Sequence, residues 1–318
     1  MSDTLDLLVT LAASSLRLAT PLVFAAMGGL LCERAGVVNI ALEGLLLTGA
    51  FAAAVAAHAT GSPWIGLAAG ILAGSLVGLL HALVTVRGRA NHIVSGTAIN
   101  ILVVGLTAVL ARALYGVSSS TPTLPRSARF AEFEWPVVSD WPVVGPLLFQ
   151  HIPLVYLAPA VAILLSIVLA KTRAGLRLIA VGEAPDAARS AGLSVIRVRI
   201  VAVVAGSAIA AIGGVFLAIG HGSAFARNMS AGRGFIALAA LILGQWKPIP
   251  VLFTALFFGM ADALGIILQG VTVPGVGTLP VQFVTMIPYV LTLLLLAGVT
   301  GRSHPPGALG RPWPGEHS

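Results

Sequence analysis

Residues 151–170 read HIPLVYLAPAVAILLSIVLA, and residues 171–199 read KTRAGLRLIAVGEAPDAARSAGLSVIRVR. The first stretch has no Asp, Glu, Lys or Arg, and it has the length of a helix that crosses about 30 Å of hydrocarbon. The second stretch holds six basic residues and two acidic ones before another apolar run begins. This alternation predicts a helical membrane protein whose basic loop lies in the cytoplasm.

The composition of the whole chain points to the same class. Of its 318 residues, 58% are hydrophobic and 9% are charged, whereas a soluble domain carries about 25% charged residues. A transmembrane β-barrel would show alternating segments of about ten residues, and the sequence has none. The net charge of +7 does not indicate nucleic-acid binding, because the basic residues lie in short loops between apolar runs. The sequence predicts an all-α bundle that crosses membrane lipid several times.

The apolar runs predict one transmembrane domain over residues 1–318, with about nine helices. They cover residues 7–31, 38–60, 63–86, 93–114, 151–170, 200–220, 234–245, 249–269 and 279–298. The seventh run is short for a full span. It is either a half-helix or part of a helix that extends into a flanking loop.

The loops predict the orientation of the chain in the membrane. The basic loop at 171–199 is placed in the cytoplasm, and the loop at 115–150 is placed outside because its only basic residues are Arg126 and Arg129. This arrangement puts the N-terminus outside and the C-terminus inside. The tail at 300–318 is expected to be disordered.

Three short matches recur in the same order in the two halves of the chain. The segments AAMGG, IALEGLLL and GLLHAL begin at residues 25, 40 and 78, and the segments AAIGG, IALAALIL and GMADAL begin at residues 210, 236 and 259. On the predicted topology, each matched pair crosses the membrane in opposite directions. That is the pattern of an inverted repeat of helices 1–4 and 6–9, as transporters use. Chance similarity among Ala, Leu and Gly is the alternative.

Inside the basic loop, residues 182–192 are predicted to form one short helix. Pro185 suits a first helical turn, Glu183 and Asp186 suit the positive end of the helix dipole, and Gly192 suits a left-handed stop. Ala187 and Ala188 would let another protein approach closely. We interpret this helix as a docking element for a soluble partner, with an ordinary amphipathic loop helix as the alternative.

Several polar residues lie inside apolar runs. An acid at bilayer depth costs about 2.5–3.5 kcal/mol on insertion scales and persists when it is paired, protonated or facing water. The residues predicted to lie along a polar path for a solute are Asn39, Glu43, Asn100, Asp262 and Gln282. Structural hydrogen bonds between helices are the equal alternative. The small residues Gly70, Gly74 and Gly78 are instead predicted to bring helix backbones close together.

The sequence predicts no catalytic residue and no metal site. Its seven histidines and single cysteine, Cys32, have no zinc-ligand spacing. The only two lysines, Lys171 and Lys247, follow Ala170 and Trp246, so the Gly-Lys-Ser/Thr core of a phosphate-binding loop does not occur. If ATP and Mg²⁺ drive this protein, another chain binds them.

Four stretches together resemble the permeases of bacterial ABC importers of the ribose and branched-chain amino-acid type, and within it the simple-sugar and nucleoside group. They are ERAGVVNIALEG at 33–44, NHIVSGTAIN at 91–100, the segment 182–192, and MSAGRGFIALAA at 229–240. The resemblance implies a multi-pass protein of the bacterial inner membrane. It also implies ABC ATPase subunits, a second and often different permease, and an external lipoprotein or other substrate-binding protein as partners.

The resemblance further implies that the helix coupled to the ATPase falls on residues 182–192. The residues expected in that role are Gly182, Glu183, Pro185, Asp186, Ala187, Ala188, Arg189 and Gly192. The expected solute is a nucleoside, with a sugar, a nucleobase and a flavin left open. An ion-coupled carrier that uses Glu43 or Asp262 is the alternative function, and an intramembrane enzyme is a third.

Overall fold

The computed structural model describes residues 3–134, 141, 143–269, 272–273, 277–278, 286, 290 and 304–313. Ten α-helices account for most of them. They are α1 (Asp3–Arg34), α2 (Leu42–Thr60), α3 (Pro63–Ala82), α4 (His92–Tyr115), α5 (Pro153–Lys171), α6 (Arg173–Glu183), α7 (Pro185–Ser190), α8 (Val195–Val215), α9 (Arg233–Leu243) and α10 (Pro248–Ile267). The prediction of a polytopic helical protein is confirmed.

The helix ends follow local chemistry. α3, α5 and α10 begin at Pro63, Pro153 and Pro248, where the missing N–H would have had no partner inside the helix. Gly61 and Gly116 end α2 and α4 in the left-handed conformation, with φ of 70° and 75°, which a glycine adopts without steric cost. At the start of α4, the Asn91 side chain accepts hydrogen bonds from the N–H groups of Ile93 and Val94.

Seven of the helices are long and apolar enough to cross a membrane. They correspond to the predicted runs one to six and eight, and α3 and α8 each continue into a π-helical turn, Leu83–Arg87 and Phe216–His221. The seventh run forms the 11-residue helix α9, about 16 Å long at 1.5 Å per residue, so it is a half-helix. Nearly all of the ninth run, 279–298, lies outside the described residues.

The remaining described elements are short. They are a 3₁₀ turn (Arg126–Ala128), a π-helical turn (Gly145–Phe149) and two antiparallel pairs of two-residue strands. The first pair joins β1 (Phe133–Glu134) to β2 (Gln150–His151), and the second joins β3 (Thr272–Val273) to β4 (Gly277–Thr278). None of these elements changes the all-α class of the described chain.

The core lies where α1 packs against α8 and α10. Phe24, Met27 and Leu30 of α1 are fully buried there, together with Phe258 of α10. α3 packs on the other side of α8 through its glycines: a Cβ at Gly74 would meet Ala211, and one at Gly78 would meet Ser207. The predicted close approach of the small residues of α3 is therefore confirmed.

The chain has two polar faces at opposite ends of the helices. At one end, the loop after α4 pairs with the end of α8, since Leu124 N–H donates to Ser223 O over 2.7 Å and Phe130 N–H to Ile219 O over 3.1 Å. At the other end lie the last turn of α1, α6, α7 and the start of α8. We call this second end the α7 face.

The prediction of a single helix over 182–192 is wrong in its first residues. Gly182 and Glu183 close α6, Ala184 is extended with φ −143° and ψ 79°, and α7 begins at Pro185. The break follows from Pro185, whose ring disfavours helical backbone at the residue before it. The predicted place of Pro185 in a first helical turn is confirmed, and so is the left-handed Gly192, which has φ +83°.

The C-terminal tail also differs from the expectation of disorder. Residues 304–313, which we call the tail segment, pack on the α7 face. Ala308 N–H donates to Gly182 O over 2.9 Å, and Gly310 N–H donates to Gly36 O over 3.0 Å. Ala308 is buried, and Leu309 packs against the core. Composition pointed to disorder because the tail is polar, but these contacts use backbone groups that composition does not reveal.

Candidate functional site

Glu43 lies in the first turn of α2 and joins it to the start of α9. Its Oε1 accepts a hydrogen bond from Gly232 N–H over 2.8 Å, and its Oε2 accepts one from Gly234 N–H over 2.7 Å. These N–H groups lie at the N-terminal end of a helix, where a carboxylate is stabilised by the helix dipole. Glu43 therefore caps a helix 189 positions further along the chain, and it is 8% exposed.

The two helix starts meet closely because the contact positions are glycines. A Cβ on Gly234 would overlap the backbone of Glu43. Gly232, just before α9, has φ +81°, a conformation that favours glycine. A half-helix whose N-terminus ends inside the protein is the device with which transporters build sites at membrane depth.

Asn100 of α4 fixes the other side of the α2 start. Its Oδ1 accepts from Gly44 N–H over 2.8 Å, and its Nδ2 donates to Ile40 O over 3.0 Å. Asn100 lies eight residues after the start of α4 at His92, which is about 12 Å along the helix. The meeting point of α2, α4 and α9 therefore lies about one third of the way along α4, a helix long enough to cross a membrane.

A cleft of about 430 Å³ opens at this meeting point. We call it the cleft; its lining residues are Glu43, Gly44, Leu47, Asn100, Ile101, Val104, Asn228, Gly232 and Phe235. Phe235 is 49% exposed and offers an aromatic face. Asn228 is exposed and offers a side-chain amide. An apolar wall with a few polar groups and one aromatic ring suits a small polar solute with a flat ring.

The other residues predicted for the solute path lie elsewhere. Asn39 is fully buried; its Oδ1 accepts from Ala41 N–H over 3.2 Å, and its Nδ2 lies 3.3 Å from Cys32 Sγ. Its contacts hold the turn between α1 and α2. Asp262 is partly buried in α10 and does not line the cleft. Gln282 lies outside the described residues.

At the α7 face, a second polar cluster surrounds the end of α1. We call it the polar hub: Glu33, Arg34, Glu183 and Trp246. Trp246 Nε1 donates to Glu33 Oε2 over 2.6 Å, and Arg34 Nε donates to Trp246 O over 2.8 Å. Arg34 Nη1 also lies 3.8 Å from Glu183 Oε1. The hub ties α1, α6 and the turn before α10 together.

The sequence did not single out Glu33, Trp246 or the tail segment. One signal was available: Glu33 follows a long apolar run, and an acid in that position needs a partner. Gln245 and Trp246 both have left-handed backbone, with φ of 54° and 53°. No sequence pattern predicts this conformation. This conformation is uncommon for such residues, and the Arg34 and Glu33 hydrogen bonds hold it.

α7 presents two different sides. Ala188 is buried with Val181 and Val195 against the protein, and Trp313 of the tail segment packs there as well. Ala187, Ser190 and Ala191 are exposed. A short helix with a small, exposed side next to basic residues leaves room for another protein surface.

Comparisons with known proteins place the chain. A family model described as the permease component of the branched-chain amino acid transport system matches residues 11–296. The chain belongs to this permease family. It is also 38% identical over 318 residues, 98% of each chain, to the guanosine ABC transporter permease protein NupQ of Bacillus subtilis.

Two relatives come from one organism. The nucleoside ABC transporter permease protein NupC of Lactococcus lactis is 37% identical over 315 residues, covering 97% of this permease and 96% of the relative. The nucleoside ABC transporter permease protein NupB of the same species is 36% identical over 99 residues, 31% of this permease and 27% of the relative. The permease is therefore a multi-pass membrane transport component, as its helices indicate.

Proposed function

We propose that this permease is the membrane subunit of an ATP-driven importer for nucleosides, and that its solute passes along the cleft at Glu43. The location of the solute path is supported by one observation: the starts of α2 and α9 meet beside an open cleft. The solute class rests on the nucleoside and guanosine permeases to which the chain is similar over nearly its full length.

The chemistry of the cleft fits a nucleoside. Phe235 can stack on a flat base, and the Asn228 amide can hydrogen-bond a base edge or a ribose hydroxyl. Asn100 uses one amide hydrogen and one lone pair within the protein, so one further N–H remains for a solute. The Glu43 carboxylate is occupied by two N–H groups and has the role of holding the cleft open rather than binding an ion.

We also propose that the two halves of the permease form an inverted repeat. α1 and α8 run in opposite directions, because Gly28 packs against Gly206 and Gly213 against Pro21. In the register of the matched segments, Gly28 corresponds to Gly213 and Pro21 corresponds to Gly206. The repeat therefore relates the contact of Gly28 with Gly206 to the contact of Gly213 with Pro21. The glycine contacts of the third match behave alike: Gly78 of α3 meets α8, and Gly259 of α10 meets α1 at Ala19.

The two polar faces at opposite ends of the helices support two different proposed partners. The exposed side of α7 is the docking surface for an ABC ATPase subunit that binds ATP and Mg²⁺, which places the α7 face in the cytoplasm and the N-terminus outside. A second permease, which is a different chain, completes the transport path; the occurrence of two nucleoside ABC transporter permease proteins, NupC and NupB, in one organism supports this. An external lipoprotein delivers the solute to the opposite face, in the cytoplasmic membrane of a bacterium.

Uptake by the complete transporter tests this function. Proteoliposomes with both permeases, the ATPase and the receptor are expected to accumulate labelled guanosine only with internal ATP. Ala187→Glu, which puts a charged side chain on the exposed side of α7, is expected to abolish uptake, while Ala187→Ser, which keeps a small side chain at the same position, leaves it unchanged. Uptake by the permease without any ATPase would contradict the ATP-driven class, and full uptake by Ala187→Glu would contradict docking at α7.

A further inference from the structure

The tail segment contacts every element that meets at the α7 face. Gly307 N–H donates to Glu183 Oε2 over 2.9 Å at the end of α6, and Trp313 Nε1 donates to Asp186 Oδ1 over 2.7 Å on α7. The Arg189 guanidinium lies 5.5 Å from the centre of the Trp313 ring, within the range of a cation–π contact. One ten-residue stretch thus holds both ends of the break at Ala184.

The same stretch is anchored to α1 and α8. Gly310 N–H donates to Gly36 O over 3.0 Å, directly after α1. Arg199, in the first turns of α8, is 1% exposed, and its Nη1 donates to Arg311 O over 3.1 Å. Among the described residues this carbonyl is the only hydrogen-bond acceptor that the Arg199 guanidinium finds, because its Nε and Nη2 have no partner. A buried cation with so few partners needs the acceptor that the tail supplies.

Gly36 is the point at which the tail meets the core. It has φ +90°, and a Cβ there would lie 2.9 Å from Arg199 Nη2 and 3.3 Å from Ala308 O. The backbone conformation therefore favours glycine, and a side chain here would press on Arg199 and on the tail segment. Gly36 is seven residues before Glu43, and the chain between them runs through the turn that Asn39 holds. A continuous path joins α7, the tail segment, Gly36 and the cleft.

α7 has little else to hold it. It is six residues long, is joined to α6 through the extended Ala184, and buries only Ala188. The tail segment covers the Ala188 side and leaves Ala187, Ser190 and Ala191 exposed. The tail therefore does not cover the side proposed for ATPase docking; it supports α7 from behind.

We propose that the tail segment is a brace that makes α7, the end of α1 and the start of α8 move as one body, and that Trp313 is a positioning residue for energy coupling. This inference rests on the proposed function. A partner that pushes or pulls on α7 then moves Gly36 directly, and through it the start of α2 at the cleft. Without the brace, α7 would move about the extended Ala184 while the cleft stays in place.

The test compares Trp313→Ala with Arg311→Ala in the complete transporter. Trp313→Ala removes the indole donor, the ring under Arg189 and the cover over Ala188. Arg311→Ala is the matched control, because the Arg311 side chain is exposed and only its carbonyl is used. Hydrogen exchange of residues 184–193, ATPase binding, ATP hydrolysis and guanosine uptake are measured on each.

For Trp313→Ala, the brace predicts exchange of the α7 amides about tenfold faster, as in a locally opened segment. The ATPase still binds and hydrolyses ATP, but uptake per ATP falls by about fivefold or more, the size of a typical coupling between sites. Arg311→Ala behaves as wild type. Trp313→Phe keeps an aromatic ring and loses the indole donor, so its exchange rate and its uptake per ATP are expected to lie between those of Trp313→Ala and wild type. It replaces Trp313→Ala if that variant gives no folded protein.

Three results would overturn the brace. Unchanged exchange would show that the tail does not hold α7, and faster exchange with normal uptake per ATP would show that holding α7 does not matter for transport. Loss of ATPase binding would make Trp313 part of the docking surface instead. Failure of the proposed function has a different signature, since the wild-type transporter would then accumulate no guanosine, whereas the exchange measurement needs no transport.

Discussion

Glu43 and Glu183 perform the same task in opposite surroundings. Each carboxylate accepts hydrogen bonds from glycine N–H groups far away in sequence, Gly232 and Gly234 for Glu43 and Gly307 for Glu183. Glu43 is 8% exposed and uses both oxygens on one helix start, whereas the Glu183 side chain is 48% exposed and shares its charge with Arg34 at 3.8 Å. The start of α9 is thus capped by a buried carboxylate, whereas the end of α6 carries a half-exposed one.

The two carboxylates differ in how costly their contacts are to break. A buried charged acceptor that satisfies two N–H groups is costly to remove, because the buried Gly234 N–H would be left without a partner. An exposed ion pair and a single exposed hydrogen bond contribute little and exchange readily with solvent. Glu43 is therefore suited to keep the shape of the cleft, and the contacts of Glu183 are the ones that water can more easily replace.

Removal of the buried acceptor has the largest expected effect. Glu43→Ala leaves the N–H groups of Gly232 and Gly234 unpaired, and is expected to lower the free energy of unfolding by about 3 kcal/mol. Equilibrium unfolding in detergent measures it. Glu43→Gln, which keeps one acceptor, loses about half as much, and Asp6→Ala, at an exposed acid of α1, leaves stability unchanged. Equal stability of Glu43→Ala and wild type would refute the cap.

Substitution of a glycine at the same contact is expected to give the next largest loss of stability. Gly234→Ala places a methyl group against the backbone of Glu43, so α9 must move away, at a cost of about 1–3 kcal/mol. Gly105→Ala is the matched control in α4, since a Cβ there meets nothing within 4 Å. It is expected to be neutral or more stable by up to about 1 kcal/mol. A similar loss in both variants would mean that glycine matters here only through helix propensity.

The smallest effect is expected at the α7 face. Glu183→Ala removes one exposed hydrogen bond and an ion pair, and is expected to cost about 0.5–1 kcal/mol, discounted for its exposure. Guanosine binding to the isolated permease, measured by calorimetry, should not change, because the cleft is untouched. A loss as large as that of Glu43→Ala would show that the α7 face is as rigid as the cleft.

Much of the fold could be predicted from the sequence because its signals are local. Apolar length predicts the spans, and Pro185 and Gly192 mark the beginning of α7 and the residue beyond its end. Glu43 and Asn100 were chosen for the cost of polar groups in an apolar run, and both line the cleft. Both side chains also form hydrogen bonds between helices. A residue can therefore line the cleft and hold helices together at the same time.

The rest depends on contacts between distant parts of the chain. The partner of Glu43 lies 189 positions away and that of Glu33 lies 213 positions away, and both partners are loop or helix-start groups without a sequence pattern. The tail segment docks through the backbone N–H groups of Gly307, Ala308 and Gly310, and composition does not reveal such contacts. The extended Ala184 depends on the proline after it, an effect that the sequence did contain.

Cysteine labelling can show whether movement of α7 changes the shape of the cleft. In the complete transporter with Cys32→Ser, a cysteine is introduced by Val104→Cys in the wall of the cleft, and its labelling by a small thiol reagent is followed with and without ATP and vanadate. Trapping the ATPase is expected to change the labelling rate by roughly fivefold or more, and Ala187→Glu is expected to abolish the change. The same rate in both nucleotide states, with an unmodified α7 and an active ATPase, would contradict this expectation.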